Sequence, residues 1–270
     1  MKSLNKLKKK NEEGKFICVG LDTDIDKIPG HLMTLKKPVV EFNKQIIEST
    51  ADFAAGYKLN FAFYEKDGKQ GLENLSETME LIPKDSLIIA DAKRGDIGNT
   101  SQMYAKAVFD HFDFDAVTIN PYMGKDSVEP FISFSEKLIF ILALTSNIGA
   151  DDFEKLQLND GSFLFQRVIS KVKEWNLYNN CGLVFGATKI EELKENINLI
   201  ADLPLLIPGV GAQGGSFDDI LRVLSSSNRT NYIVNISRGI IYNSSSNNFA
   251  VSAQNEIKKY NNIAKSILGY

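Results

Sequence analysis

The chain has 270 residues, 43% apolar and 24% charged, with 31 lysines and arginines against 34 aspartates and glutamates. Such a chain can bury a core without staples, and its composition excludes collagenous, low-complexity and extensively disordered classes. A net charge of −3 argues against a nucleic-acid partner, and two histidines leave no room for a His-rich metal site.

Residues 1–14 carry Lys2, Lys6, Lys8, Lys9 and Lys10 and read as a basic extension or a helix. Polar Asn11-Glu12-Glu13 follows in place of the apolar segment of a secretory signal. The first apolar run, 16–21, leads straight into Asp22, and the second, 55–59, contains Lys58 and ends at Asn60. Between them Val40, Asn43, Ile46, Ile47 and Thr50 recur at helical spacing. Leu72, Leu75, Met79 and Ile82 predict a second helix, stopped by Pro83. The third run, 86–90, continues as Asp91-Ala92-Lys93-Arg94-Gly95-Asp96. Gly98-Asn99-Thr100 then opens a helix, with Asn99 or Thr100 as its N-cap. Further apolar runs fall at 116–119, 138–144, 182–185, 205–207 and 232–236. Phe163, Phe165, Val168, Ile169 and Val172 mark one more helix, and 251–268 a last one with Ile257, Ile263, Ala264 and Ile267 inward.

The eight runs are continuous rather than alternating, as strands buried on both faces read in a parallel sheet. Eight strands alternating with helices, in a chain near the ~250 residues typical of the architecture, predict an α/β fold of the (β/α)8 TIM-barrel type. A doubly wound sheet is the second choice. The polar stretches 225–228 and 243–248 read as loops, so residues 1–270 are taken as one domain. Cys18 and Cys181 lie in apolar runs and predict buried, reduced thiols. The longest run, 138–144, is too short to cross a bilayer, so a cytoplasmic protein without a membrane partner is expected.

Active-site residues of such barrels gather where the strands end. Asp22, Lys58, Asp91 and Lys93 stand at the ends of the first three strands, and Asp96 follows. One such charge fits a structural ion pair; acids and lysines alternating at three strand ends point to chemistry. Asp91 and Lys93, two apart, face one side of an extended segment, toward the barrel mouth. A lysine held between carboxylates stays protonated and suits proton donation to a developing carbanion. After the seventh run comes Pro208-Gly209-Val210-Gly211-Ala212-Gln213, and after the eighth Ser237-Arg238-Gly239. A glycine-rich loop beside an arginine at these two strand ends reads as a phosphate site.

Asp91-Ala92-Lys93-Arg94-Gly95-Asp96-Ile97-Gly98-Asn99-Thr100 resembles the signature of the orotidine 5'-phosphate decarboxylase family, in the longer DxKRGDIGxT form. Asp22, Lys58-Leu59-Asn60, Thr145-Ser146-Asn147, the 208–213 loop and Ser237-Arg238-Gly239 carry the resemblance across nearly the whole chain. It implies removal of CO2 from orotidine 5'-phosphate to give uridine 5'-phosphate, the last step of pyrimidine nucleotide synthesis, with no metal and no organic cofactor. By the same resemblance Lys93 protonates C6 of the pyrimidine and Asp91 crowds the substrate carboxylate. Lys58 and Asp96 complete the charge network and reach toward the ribose. Asp96 and Thr100 enter the site from the second subunit of a homodimer. Asp22 and Asn60 contact the ribose side, Ser146 the pyrimidine with Thr145 adjacent, and Gln213, Arg238 and Gly239 the phosphate.

Two other readings stand beside it. A Mg2+-dependent keto-sugar-phosphate decarboxylase of the same superfamily shares the DxKxxD core but has an acid where this chain has Lys58, and an ammonium is a poor neighbour for a divalent cation. A non-catalytic nucleotide-binding barrel has no need of Asp91 paired with Lys93. Trp175, Tyr178, Met79, Met103 and Met123 are read as packing or loop residues, and His31 and His111 as surface residues.

Overall fold

The computed structural model describes residues 2–211 and 213–269; Ala212, part of the glycine-rich motif, lies outside the described residues. The apolar runs form β1 (Ile17–Gly20), β2 (Gly56–Asn60), β3 (Leu87–Arg94), β4 (Ala116–Ile119), β5 (Leu138–Leu144), β6 (Cys181–Phe185), β7 (Leu205–Pro208) and β8 (Tyr232–Ile236). Each strand pairs in parallel with the next, and β8 pairs with β1, closing the barrel in sequence order. That closure excludes the doubly wound alternative.

Helices cover the outside. On the first half of the barrel these are α2 (Pro38–Thr50), α3 (Phe61–Glu65), α4 (Gly68–Glu80), α5 (Gly98–Lys106) and α6 (Lys125–Ile132), preceded by α1 (Ser3–Glu12). The second half carries α7 (Ala150–Phe153), α8 (Leu164–Trp175), α9 (Ile190–Glu195), α10 (Ile197–Ile200), α11 (Phe217–Ser226), α12 (Arg238–Ile241) and α13 (Phe249–Leu268). Pro38 opens α2, where its fixed φ suits the first turn and its missing N–H costs nothing. Asn43, Ile46, Ile47 and Thr50 then line the buried face at the predicted spacing, with Val39 and Phe42 beside them, while Val40 is only half-buried.

The basic N-terminus is the helix α1, and it plugs the end of the barrel opposite the mouth. Leu7 is fully buried in the cluster that fills the barrel interior, which includes Leu87, Leu138 and Ile233. Such burial is worth about 1.5–3 kcal/mol. Two lysines of the helix are paired with acids: Lys6 with Asp115 at 2.8 Å and Lys10 with Asp85 at 2.6 Å. Asn11 exchanges hydrogen bonds with the Tyr232 backbone, accepting at 3.2 Å and donating at 3.0 Å.

Some local expectations are corrected. Strand β3 runs on to Arg94, and α5 starts at Gly98 behind an extended Ile97 with no capping side chain, so neither Asn99 nor Thr100 is the cap. Tyr178 is 53% and Met103 46% exposed, because each lies on the solvent side of its segment, whereas Trp175 packs on the core. Cys18 and Cys181 are buried free thiols, and His31 and His111 are exposed. Among the described residues no helix is long and apolar enough to cross a membrane, and no group of three or more His, Cys, Asp or Glu side chains could hold a metal ion.

Candidate active site

At the C-terminal ends of the strands lies a cavity of about 620 Å³. Asp22 after β1, Lys58 and Asn60 of β2, and Asp91 and Lys93 of β3 line one side. Thr145 and Ser146 after β5, Gln213 after β7, and Arg238 after β8 line the other.

One carboxylate organises the charged side. Asp91 Oδ2 accepts from Lys58 Nζ at 2.8 Å, while its Oδ1 accepts from Lys93 Nζ at 2.5 Å and Thr118 Oγ1 at 3.0 Å. Lys58 is 3% exposed and lies 3.5 Å from Asp22 Oδ1 as well. Burial by itself pushes the Asp91 carboxyl up, but the Lys58 and Lys93 ammoniums outweigh it and hold the group well below the ordinary carboxylate range. Burial also pulls Lys58 down; Asp91, and Asp22 after it, override that and raise it above the ordinary lysine range. Both groups are therefore locked in their charged forms. Cys18, beneath them, is the opposite case: burial raises its thiol, which stays neutral.

Asp91 and Lys93 do face the mouth together, on a strand that is bulged rather than regular. The pairing of β3 with β4 passes from Ala90↔Val117 to Arg94↔Ile119, so β3 carries two more residues than its neighbour over this stretch. Lys93 takes up the excess in the left-handed region, at φ 43°. Its N–H is bound by Thr118 Oγ1 at 3.0 Å. The chain beyond is clamped by Arg94, which pairs with Glu65 and lies over the rings of Phe61 and Tyr104 at 5.5 and 5.2 Å.

The loop after β1 is held by buried polar groups. Asn43 accepts from Thr23 and donates to Tyr64 and Thr78, and Tyr64 donates to the Leu21 carbonyl. Asn60 spends its amide oxygen on the Ala62 N–H, capping α3, and keeps its amide nitrogen free of that bond. Across the mouth Ser146 Oγ donates to Gln213 Oε1 at 2.5 Å, joining the loops after β5 and β7. Gly209, at φ 104°, permits that closure: a Cβ there would meet Gln213 Oε1 at 2.9 Å and Ser146 Oγ at 3.1 Å. Thr145 is turned inward, its N–H and hydroxyl both bound by Glu154 at 2.7 and 2.9 Å. Arg238 begins the four-residue helix α12; Gly239 follows it but is not on the cavity wall.

Asp96 and Thr100 are not brought to the cavity of their own chain. Asp96 Oδ1 accepts from the Ile97 N–H at 2.8 Å, and Thr100 is exposed on α5. Thr118 and Glu154 belong to the site and were not anticipated. The signal for Thr118 was present, as the one polar residue of an otherwise apolar strand; Glu154 stands in a polar stretch where nothing sets it apart.

Residues 15–252 match the profile of the Orotidine 5'-phosphate decarboxylase / HUMPS family. A protein of Dehalococcoides mccartyi strain BAV1 named orotidine 5'-phosphate decarboxylase is 50% identical over 257 residues, 94% of this chain and 93% of its own. One of the same name from Porphyromonas gingivalis is 46% identical over 244 residues, covering 89% of this chain and 88% of its own. Among solved structures, Leishmania donovani OMP decarboxylase superposes with a TM-score of 0.83 at 32% identity, over 98% of this chain and 99% of the other.

Proposed function

The chain belongs to the orotidine 5'-phosphate decarboxylase / HUMPS family, and we propose that its cavity converts orotidine 5'-phosphate to uridine 5'-phosphate and carbon dioxide, with no metal or organic cofactor. The activity is that of a carboxy-lyase. The observation that carries it is the pair of ammoniums on the single carboxylate of Asp91 at the barrel mouth.

The reaction offers no carbonyl or iminium to accept the electron pair of the breaking C–C bond. Catalysis therefore has to come from fixed charge that favours the transition state over the ground state. The substrate carboxylate lies against Asp91, which cannot relieve the repulsion by taking a proton because Lys58 and Lys93 keep it ionised. As CO2 leaves, the repulsion goes and the electron pair stays on C6. Lys93 Nζ stabilises that carbanion and delivers its proton there. Lys58 holds Asp91, and Asp22 and Asn60 receive the ribose. Ser146, with Thr145 behind it, meets the pyrimidine. Gln213 and Arg238 hold the phosphate, whose binding energy is spent far from where it is made, at the reacting carbon.

Asp96 and Thr100 complete the site of a second copy of the chain. Asp96 is outside its own cavity, and the same rim exposes Ile97 (55%), Tyr122 (78%) and Met123 (44%), apolar surface of the kind a subunit interface covers. A homodimer with shared sites, a cytoplasmic location and a place in pyrimidine nucleotide synthesis go with this reading.

The test is formation of uridine 5'-phosphate from orotidine 5'-phosphate by the purified protein in EDTA. Full turnover is expected. Turnover that EDTA abolishes and Mg2+ restores would point to the metal-dependent branch of the superfamily, and nucleotide binding without turnover to a non-catalytic barrel.

A further inference from the structure

We propose that Thr118 is a positioning residue that sets the proton-donating ammonium of Lys93 through its backbone; the inference rests on the decarboxylase reading above. Thr118 is 2% exposed, is the only polar side chain of β4, and borders the cavity. Its hydroxyl touches both members of the Lys93–Asp91 pair. Oγ1 accepts from the Lys93 N–H at 3.0 Å and donates to Asp91 Oδ1 at 3.0 Å. A hydroxyl has one proton to give and lone pairs to receive, so both bonds are made at once.

The need for it follows from the strand pairing. Between Ala90↔Val117 and Arg94↔Ile119 the ladder has no place for three residues of β3 opposite one of β4. Lys93 is the residue forced to φ 43°, a conformation that costs energy for any side chain beyond glycine and persists only where its surroundings impose it. The Thr118 hydroxyl supplies the partner that this N–H lacks in the ladder. The same hydroxyl fixes the Asp91 oxygen to which Lys93 Nζ is bound, so Thr118 Oγ1 holds the lysine directly at its main chain and, through Asp91 Oδ1, at its tip. Returning Lys93 to negative φ would swing Nζ away from Asp91, and a displacement of that size at a reacting group is felt in turnover more than in binding. Valine has the shape of threonine and can make neither bond; serine can make both.

The experiment compares wild type, Thr118→Val and Thr118→Ser for kcat and KM on orotidine 5'-phosphate and Kd for uridine 5'-phosphate. In Thr118→Val kcat is expected to fall about 10- to 100-fold with KM and Kd within about threefold, and Thr118→Ser to stay within about threefold of wild type throughout. The proposal is overturned if kcat of Thr118→Val stays within about twofold of wild type, or if Thr118→Ser falls as far as Thr118→Val, which would make the methyl group and its packing responsible. Thr118→Ala carries the same expectation as Thr118→Val should the valine variant not fold. An inactive wild type would refute the decarboxylase reading instead. A crystal structure of the valine or alanine variant then decides the positioning alone: Lys93 out of the left-handed region supports it, and an unchanged Lys93 backbone with the Asp91 contact intact overturns it.

Discussion

Lys58 Nζ lies 2.8 Å from Asp91 Oδ2 in a side chain only 3% exposed, so the floor of the site is a buried ion pair whose members fix each other's charge. The signs of the two shifts set its pH behaviour. Asp91 is lowered from an ordinary value of 3.8, so its contribution to stability is complete above that pH and lost as pH falls through the depressed value. Lys58 is raised from 10.5, so its contribution is complete below that pH and lost as pH rises through the elevated value. Asp91→Asn, which leaves a buried ammonium without its nearest carboxylate, should cost about 3 kcal/mol of folding stability near neutrality. Urea unfolding across pH should show that cost steady from about pH 5 to neutrality and shrinking in stronger acid, where wild-type Asp91 loses its charge. A cost that halved between pH 8 and 6 would mean that one of the pair titrates in that range.

Lys93→Ala should nearly abolish turnover while leaving uridine 5'-phosphate binding measurable. The Lys93 side chain is 50% exposed, whereas that of Lys58 is 3% exposed and held by two acids, so Lys93 is the freer of the two ammoniums on Asp91. Calorimetric binding and steady-state kinetics on one preparation separate the effects. A variant keeping about a tenth of wild-type activity would remove Lys93 from the role of donor.

Arg238→Ala should raise KM and also lower kcat, because part of the phosphate binding energy is used to favour the transition state at the reacting carbon. On the nucleoside without its phosphate, wild type and variant should behave alike. Equal damage on both substrates would assign Arg238 to the structure of α12 instead.

Subunit mixing tests the shared site. Asp96→Ala and Lys93→Ala proteins, each nearly inactive, place both lesions in one site of a heterodimer and neither in the other. After exchange, half of the dimers are mixed, and activity should recover to about a quarter of wild type, as for any two-fold site built from both chains. With exchange verified by a tagged subunit, no recovery would show that Asp96 serves its own chain.

The barrel and most of the site wall are legible in the amino-acid order alone. Strands buried on both faces write continuous apolar runs, and residues that must face the mouth break those runs at their C-terminal ends, so Asp22, Lys58, Asp91, Lys93 and Arg238 were readable one strand at a time. What depends on register between strands distant in sequence arises only when the chain folds. Spacing two apart suggested that Asp91 and Lys93 converge along an extended chain; they converge because β3 outruns β4 and Lys93 absorbs the excess at φ 43°. Thr118 meets that backbone from 25 residues away, and the N-terminal helix finds the barrel floor through Leu7. No local pattern encodes such meetings, because each arises from the closing of the barrel, which brings separately readable segments to one point.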